Sequence, residues 1–342
     1  MRPAPRSYRR ERGVRQYRST ARRLFPYQIA YLCRFSHVGA RGRRTYASRR
    51  QRNDRLRSGL ALLCIAGFLT SGILLFRYTS ESLQAQATNE SIAALYHEAA
   101  MAGVAAPTRA PAVTGVPLEM PSPTKKPKAA RFQKTSGDVL PKFEPLRRVN
   151  KDIAGWLTIG GVLDLPVVYR DNSYYLRRDI HKKKSAAGTL FLDENHPPKA
   201  KAQHLVIHGH DMKDGSMFGK LSRYLRLNFL QKHCVFQFDT LYQENTYVVI
   251  AVVTLPENVR DPAYFNYLGY PSFRSGAEFQ QYVGTLTKRS AFEIPIETNK
   301  SDALLTLNTC YGDDRLLVVA RRVRPEENVA ALKEQVLTAQ AR

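Results

Sequence analysis

The run Leu304-Leu-Thr-Leu-Asn-Thr-Cys310 is followed by Tyr311-Gly-Asp-Asp314 and then by Arg315-Leu-Leu-Val-Val-Ala320. An apolar segment ends on a cysteine, a polar turn intervenes, and an arginine opens a second apolar segment. Short Leu/Val-rich runs bounded by a Gly-Asp turn predict two neighbouring β-strands. One hundred residues before the cysteine, Leu205-Val-Ile-His-Gly-His210 ends another apolar run on two histidines separated by a glycine. A cysteine nucleophile, a histidine acid/base and a cation able to hold an oxyanion are the groups that acyl transfer through a thioester requires.

Working outward, the same kind of run recurs. Strands are predicted over 156–159, 162–169, 188–192, 205–208, 234–238, 246–255, 303–307 and 316–323, punctuated by Gly160-Gly161, Asn195-His-Pro-Pro198 and Gln243-Glu-Asn245. Eight short strands in one domain predict a mainly β fold, a closed barrel or a sandwich. Phe143, Leu146, Val149 and Ile153 recur at helical spacing, which predicts one buried stripe on a helix that stops near Gly155, with Trp156 as a core anchor. The 47 residues between Leu255 and Ala303 are too many for a structureless loop, and Phe279, Tyr282, Val283 and Leu286 predict a helix within them. After Pro325, Val329, Leu332 and Val336 predict a short amphipathic helix.

Charge is distributed unevenly. Residues 1–57 hold eighteen arginines, no lysine and only Glu11 and Asp54, so 16 of the 24 net positive charges lie there. That basic segment abuts Gly59–Phe76, an 18-residue run without a charge, near the lower end of the roughly 17–25 residues a spanning helix needs. A core helix would have a polar face, and this run has none. Arginines accumulate on the cytoplasmic side of a spanning segment, so the N-terminus is expected inside and the rest outside. No small-residue cleavage site clearly follows the run, which favours an uncleaved signal anchor. Because the excess charge belongs to this flank, no nucleic-acid partner is expected.

These shifts in composition divide the chain into 1–57 (a cytoplasmic tail, or sequence read from a start set too early), 58–78 (anchor), 79–135 (helical stalk, then Pro-rich linker), 136–325 (catalytic domain) and 326–342 (C-terminal helix). Of the four cysteines, Cys33 falls inside, Cys64 in the membrane, and Cys234 and Cys310 outside. Cys234 lies in an alternating strand pattern that suits a buried free thiol.

The chain resembles the class B sortases, membrane-tethered cysteine transpeptidases of Gram-positive bacteria. The resemblance rests on Asn150-Lys-Asp-Ile-Ala-Gly-Trp-Leu-Thr-Ile159, Asp171-Asn-Ser-Tyr-Tyr-Leu176, Gly188-Thr-Leu-Phe-Leu-Asp193 and the two motifs quoted first, and it covers about residues 140–325. It implies a closed eight-stranded sortase barrel with an N-terminal helix and a helix in the long loop before the cysteine strand. It also implies cleavage of a sorting signal near the C-terminus of secreted proteins, with transfer of the acyl group to a cell-wall amine, on peptidoglycan or its lipid-linked precursor. By this resemblance Cys310 is the nucleophile, His210 the acid/base and Arg315 the oxyanion cation, while Asn172 and Leu176 line the substrate groove, with Asn308 and Thr309 beside the nucleophile added to that group. No cofactor and no metal are expected. Two positions depart from the family pattern: His208 stands where Tyr usually precedes Gly-His, and Asn308 where Ser usually precedes Thr.

Other readings compete. Arg321 and Arg322 are rival cations, farther from the turn. His204, His208, His210, Asp211 and Asp214 could form a zinc cluster, though no H-E-x-x-H or paired-Cys motif accompanies them. A different Cys-His cell-wall peptidase, an L,D-transpeptidase and a non-catalytic anchored wall-binding protein are the remaining alternatives.

Overall fold

The computed structural model describes residues 40–105, 138–198 and 202–342, and side chains within the first of these segments from Asp54 to Ala102. The sequence before Ala40, including Cys33, and the Pro-rich linker lie outside the described residues. Eight strands form the barrel: β1 (Ile153–Ile159), β2 (Leu163–Tyr169), β3 (Leu190–Leu192), β4 (His204–His208), β5 (Val235–Thr240), β6 (Thr246–Pro256), β8 (Leu304–Tyr311) and β9 (Asp314–Arg322). They close in the order β1-β2-β3-β4-β8-β9-β6-β5, so no barrel strand is left with an unpaired edge. The pairs β2–β3 and β4–β8 are parallel and the others antiparallel. Two further short strands, β7 (Phe292–Glu293) and β10 (Gln340–Ala341), pair with each other. The barrel of the family resemblance is therefore the observed fold. Its core is the alternating inward set, including Leu157, Val167, Leu192, Ile207, Phe238, Val249, Leu307 and Val318.

Two strand boundaries move, and both moves bear on the site. The predicted strand 303–307 runs on through Cys310 to Tyr311, and the helix predicted through Ile153 stops early, so that β1 begins there. Only Glu144–Val149 is α-helical, here α2. Asn150 ends it with extended backbone, donating from its side chain to Tyr175 Oη and Ile180 O while accepting from Asp152 N. A short polar side chain offers the backbone this alternative to another helical turn. Phe143, Leu146 and Ile153 are buried as predicted, whereas Val149 is exposed. Cys234 is buried as a free thiol, but it caps the helix α3 (Leu227–His233) instead of opening β5.

The long connection carries α4 (Gly276–Lys288), capped by Ser275, whose hydroxyl accepts from Glu278 N at 3.1 Å. It buries the four predicted residues. The tail forms α5 (Val329–Leu337), burying Leu332 and Val336.

The helix α1 (Ala40–Ala105) contains the apolar run and is long and apolar enough to cross a membrane; the leucines and phenylalanines of that run are exposed. Past the run, the stretch read as a stalk is helical but does not stand clear of the core. Ile92 and Tyr96 are buried; Tyr96 stacks on Trp156 at 4.3 Å and 7°, and its hydroxyl donates to Asp239 Oδ2 at 2.8 Å. Next to it, His97 Nε2 lies 2.6 Å from Asp164 Oδ2, the carboxylate whose other oxygen accepts from Trp156 Nε1. Burying side chains of this size contributes about 1.5–3 kcal/mol each.

Candidate active site

The cysteine and the arginine meet because β8 and β9 form a tight hairpin. Tyr311 pairs with Asp314 and Cys310 with Arg315, leaving Gly312 and Asp313 as the turn. Gly312 has φ of 61°, in the left-handed region, at the position where a two-residue hairpin of the II′ kind takes glycine. Burial along β8 is continuous from Leu304 to Thr309 and stops at Cys310, so the thiol emerges at the rim. Across the pair, Arg315 Nη1 donates to Cys310 Sγ at 3.1 Å, and Nη2 donates to the Glu257 carboxylate. Glu257 is placed by β6, whose Leu255 and Pro256 pair with Arg315 and Asp314. Burial disfavours the charge on Arg315, but Glu257 and the Cys310 sulfur outweigh it and hold the guanidinium above its ordinary pKa.

His210 reaches the same rim by the parallel pairing of β4 with β8, in which His208 stands opposite Asn308. The pairing continues one residue beyond the strand: Gly209 N donates to Asn308 O at 3.1 Å, and Thr309 Oγ1 donates to Gly209 O at 2.8 Å. The next residues, His210 and Cys310, therefore leave neighbouring strands at one end of the barrel. His210 Nε2 donates to Leu176 O at 2.7 Å. A carbonyl oxygen can only accept, so this contact places a proton on Nε2. Gly209 is required by packing and not by a left-handed bend: a Cβ there would lie 2.4 Å from Leu190 Cδ2 and 2.6 Å from Phe218 Cδ2.

The four residues expected to contact substrate separate into two kinds. Leu176 is exposed beside His210, while Asn172 is half-buried, donating to Asp193 Oδ2 at 2.9 Å and accepting from Glu194 N at 2.9 Å. Asn308 and Thr309 are each only 2% exposed, with their side chains turned to His208 and Gly209. Burial of that degree places both side chains under the rim.

Beneath the rim lies the residue that ends the Gly188–Asp193 motif, to which the sequence alone assigns no role. Asp193 is fully buried and accepts from His196 Nδ1 (2.8 Å), His208 Nε2 (3.1 Å), Asn172 Nδ2 and Asn195 N (2.9 Å each). Burial raises its pKa, but the His196 and His208 hydrogen bonds overcome that and hold the carboxyl well below the usual range. The zinc reading loses its geometry here. His204 is a core residue, with Nδ1 2.9 Å from Tyr270 O and Nε2 2.9 Å from Thr306 Oγ1, and His208 is bonded at both nitrogens. Arg322 and Arg321 sit at the other end of β9, Arg321 fully buried against Glu327.

Comparison with known proteins identifies the family. The family model described as the Sortase domain matches residues 163–323. Sortase B of Listeria monocytogenes is 30% identical over 203 residues, covering 57% of this chain and 80% of that protein. The chain belongs to the class B sortases. It is accordingly a cysteine transpeptidase by family. Among solved structures, Bacillus anthracis sortase B in complex with AAEK2 superposes with a TM-score of 0.52 at 29% identity, covering 57% of this sortase and 89% of that chain. The Staphylococcus aureus sortase B–substrate complex gives a TM-score of 0.57 over 72% of this chain and 99% of that one; at 23% identity it supports the fold alone.

Proposed function

We propose that this sortase cleaves a sorting signal near the C-terminus of secreted proteins through a thioester on Cys310 and transfers the acyl group to a cell-wall amine. The observation that carries this reading is the 3.1 Å approach of Arg315 to the Cys310 sulfur at an exposed rim that His210 also reaches. The thiolate is the reactive form of cysteine, and an adjacent guanidinium favours it. As sulfur attacks the scissile carbonyl, negative charge develops on the carbonyl oxygen, and Arg315 has a planar, always-charged fork beside that point. His210 takes the Cys310 proton as the sulfur attacks and donates it to the departing amine, then takes one from the incoming amine as it attacks the thioester and returns it to the leaving sulfur. The acyl group thus passes from nitrogen to sulfur and back to nitrogen, with the cysteine regenerated. Leu176, beside His210, lines the approach.

The acceptor is read as an amine on peptidoglycan or its lipid-linked precursor, and the apolar helix of α1 as a single-pass anchor with the N-terminus cytoplasmic and the barrel outside. Incubating the enzyme with sorting-signal peptides and an amine acceptor should yield the ligated product, and His210→Ala should lower its rate by about 10²–10⁴. A His210→Ala enzyme that turns over at the wild-type rate would overturn the assignment. A reporter fused after Lys125 should be active only outside the cytoplasm, and cytoplasmic activity would overturn the orientation.

A further inference from the structure

We propose that Asp193, His208 and Asn308 form a positioning network that sets Cys310 and His210 relative to each other, and that His208 and Asn308 function as a matched pair. The inference rests on the transpeptidase reading of Cys310 and His210. The two positions where this sequence leaves the class B pattern are directly opposed on the parallel strands β4 and β8. Their side chains touch: Asn308 Nδ2 is 2.6 Å from His208 Nδ1, and the amide nitrogen is the only possible donor to an unprotonated ring nitrogen. With Nδ1 accepting, His208 Nε2 carries the proton and donates to Asp193 Oδ2 at 3.1 Å. The ring is further fixed by stacking on Phe191, 5.1 Å away at 26°. Both nitrogens of His208 are thus occupied, so it serves as a link and not as an acid/base.

The chain of contacts reaches every segment that bears on the reaction. Asn308 lies two residues before Cys310, and its carbonyl holds Gly209, the residue before His210. Asp193 also holds Asn172, at the head of the segment whose Leu176 carbonyl holds His210 Nε2. Among the described residues, Asn308 Oδ1 is buried with no hydrogen-bond partner, so the side-chain contact that holds the amide there is the one to His208. Loss of His208 leaves the buried Asn308 amide without this partner, loss of Asn308 leaves His208 Nδ1 unpaired, and in either case the strand ends lose their side-chain link. A tyrosine at 208 has no ring nitrogen to accept from Asn308, and a serine at 308 is too short to reach the imidazole.

The test is a double-mutant cycle with His208→Tyr, Asn308→Ser and the combined variant, reading kcat, KM and melting temperature on a sorting peptide. Each single change should lower kcat about tenfold with KM within about twofold, and the combination should return kcat to within about threefold of wild type. A combined loss equal to the product of the two single losses would overturn the pairing. So would single variants with lowered melting temperature and unaltered kcat, which would mark a purely structural contact. Asp193→Asn keeps the side-chain shape and should lower kcat as the single changes do; unchanged kcat in that variant would remove Asp193 from the network. The rate of Cys310 alkylation by iodoacetamide needs no peptide and should follow the same pattern, falling in the single variants and recovering in the pair. If wild type cleaves no sorting peptide while alkylation still shows recovery, the transpeptidase reading fails and the network stands. If peptides are cleaved and neither readout shows recovery, the network fails alone.

Discussion

Arg315 and Arg321 stand six residues apart on the same strand and occupy opposite kinds of site. Arg321 is 1% exposed and spends its donors on Glu327, at 2.6 and 2.8 Å, and on the carbonyls of Glu297 and Arg322, with Asp302 3.9 Å away. Arg315 sits at the rim with one amine on Glu257 and the other on a thiol sulfur. Both are arginines opening or closing an apolar run, and both are paired with carboxylates. The difference lies in what the partners leave free. A cation whose donors all end on fixed interior acceptors holds the chain together, whereas one that donates to an exposed thiol at the rim is placed for the proposed oxyanion role.

The contrast can be broken by substitution. Arg321→Ala removes the fully buried partner of Glu327, which Arg324 still contacts, and should cost more stability than any change at Arg315, seen as a clear fall in melting temperature. Arg315→Ala should leave the melting temperature nearly unchanged, because partly exposed ion pairs contribute little, yet lower turnover by about 10²–10³. Arg315→Lys should remain impaired, since an ammonium cannot reproduce the planar fork. A turnover loss at Arg321 per folded molecule as large as that at Arg315 would abolish the distinction.

A region between these extremes sharpens it. Tyr96 belongs to α1, outside the barrel strands, but its ring covers Trp156. Tyr96→Ala should destabilise the fold by about 3 kcal/mol without a specific effect on the chemistry, measured by urea unfolding and turnover of the folded fraction. For the same reason a fragment beginning at Ser136 should melt well below one beginning at Ser80. A pH-dependent effect is expected at His204, where burial first, with His196 adding to it, pushes the imidazole down to about 3. The unfolded chain binds that proton near pH 6.5, so the contribution to stability is complete above about 6.5 and is lost as pH falls from there toward 3, by up to about 1.4 kcal/mol per pH unit. His204→Gln should flatten the acid limb of a melting-temperature profile; an unchanged slope would show that the ring does not titrate in this way.

Much of the barrel was legible because strand alternation and turn residues repeat at short intervals, and the helix α4 because its apolar spacing is unbroken. The rim was legible for a different reason: cysteine, histidine and arginine bear their chemistry in their identities. What was not legible depends on pairing across the barrel. Glu257 becomes the partner of Arg315 only through the β6–β9 register, and nothing in Leu255-Pro-Glu257 announces it. Asp193 closes an apolar strand and reads as a turn carboxylate until four donors converge on it. That Asn308 and Thr309 would be buried was not legible either, because only the barrel shows that β8 leaves the interior at Cys310. The docked part of α1 is rich in alanine and polar residues, so Ile92 and Tyr96 gave too sparse a stripe to predict burial.

The central claim is that Cys310 carries the acyl group between donor and acceptor. Intact-protein mass spectrometry of the enzyme, mixed with a sorting peptide in the absence of amine and quenched in acid, tests it most directly. An added mass equal to the N-terminal peptide fragment, mapped to Cys310 and discharged on adding an amine, is the expected result. An enzyme that cleaves the peptide with no adduct at Cys310, and that keeps its activity as Cys310→Ala, would contradict it.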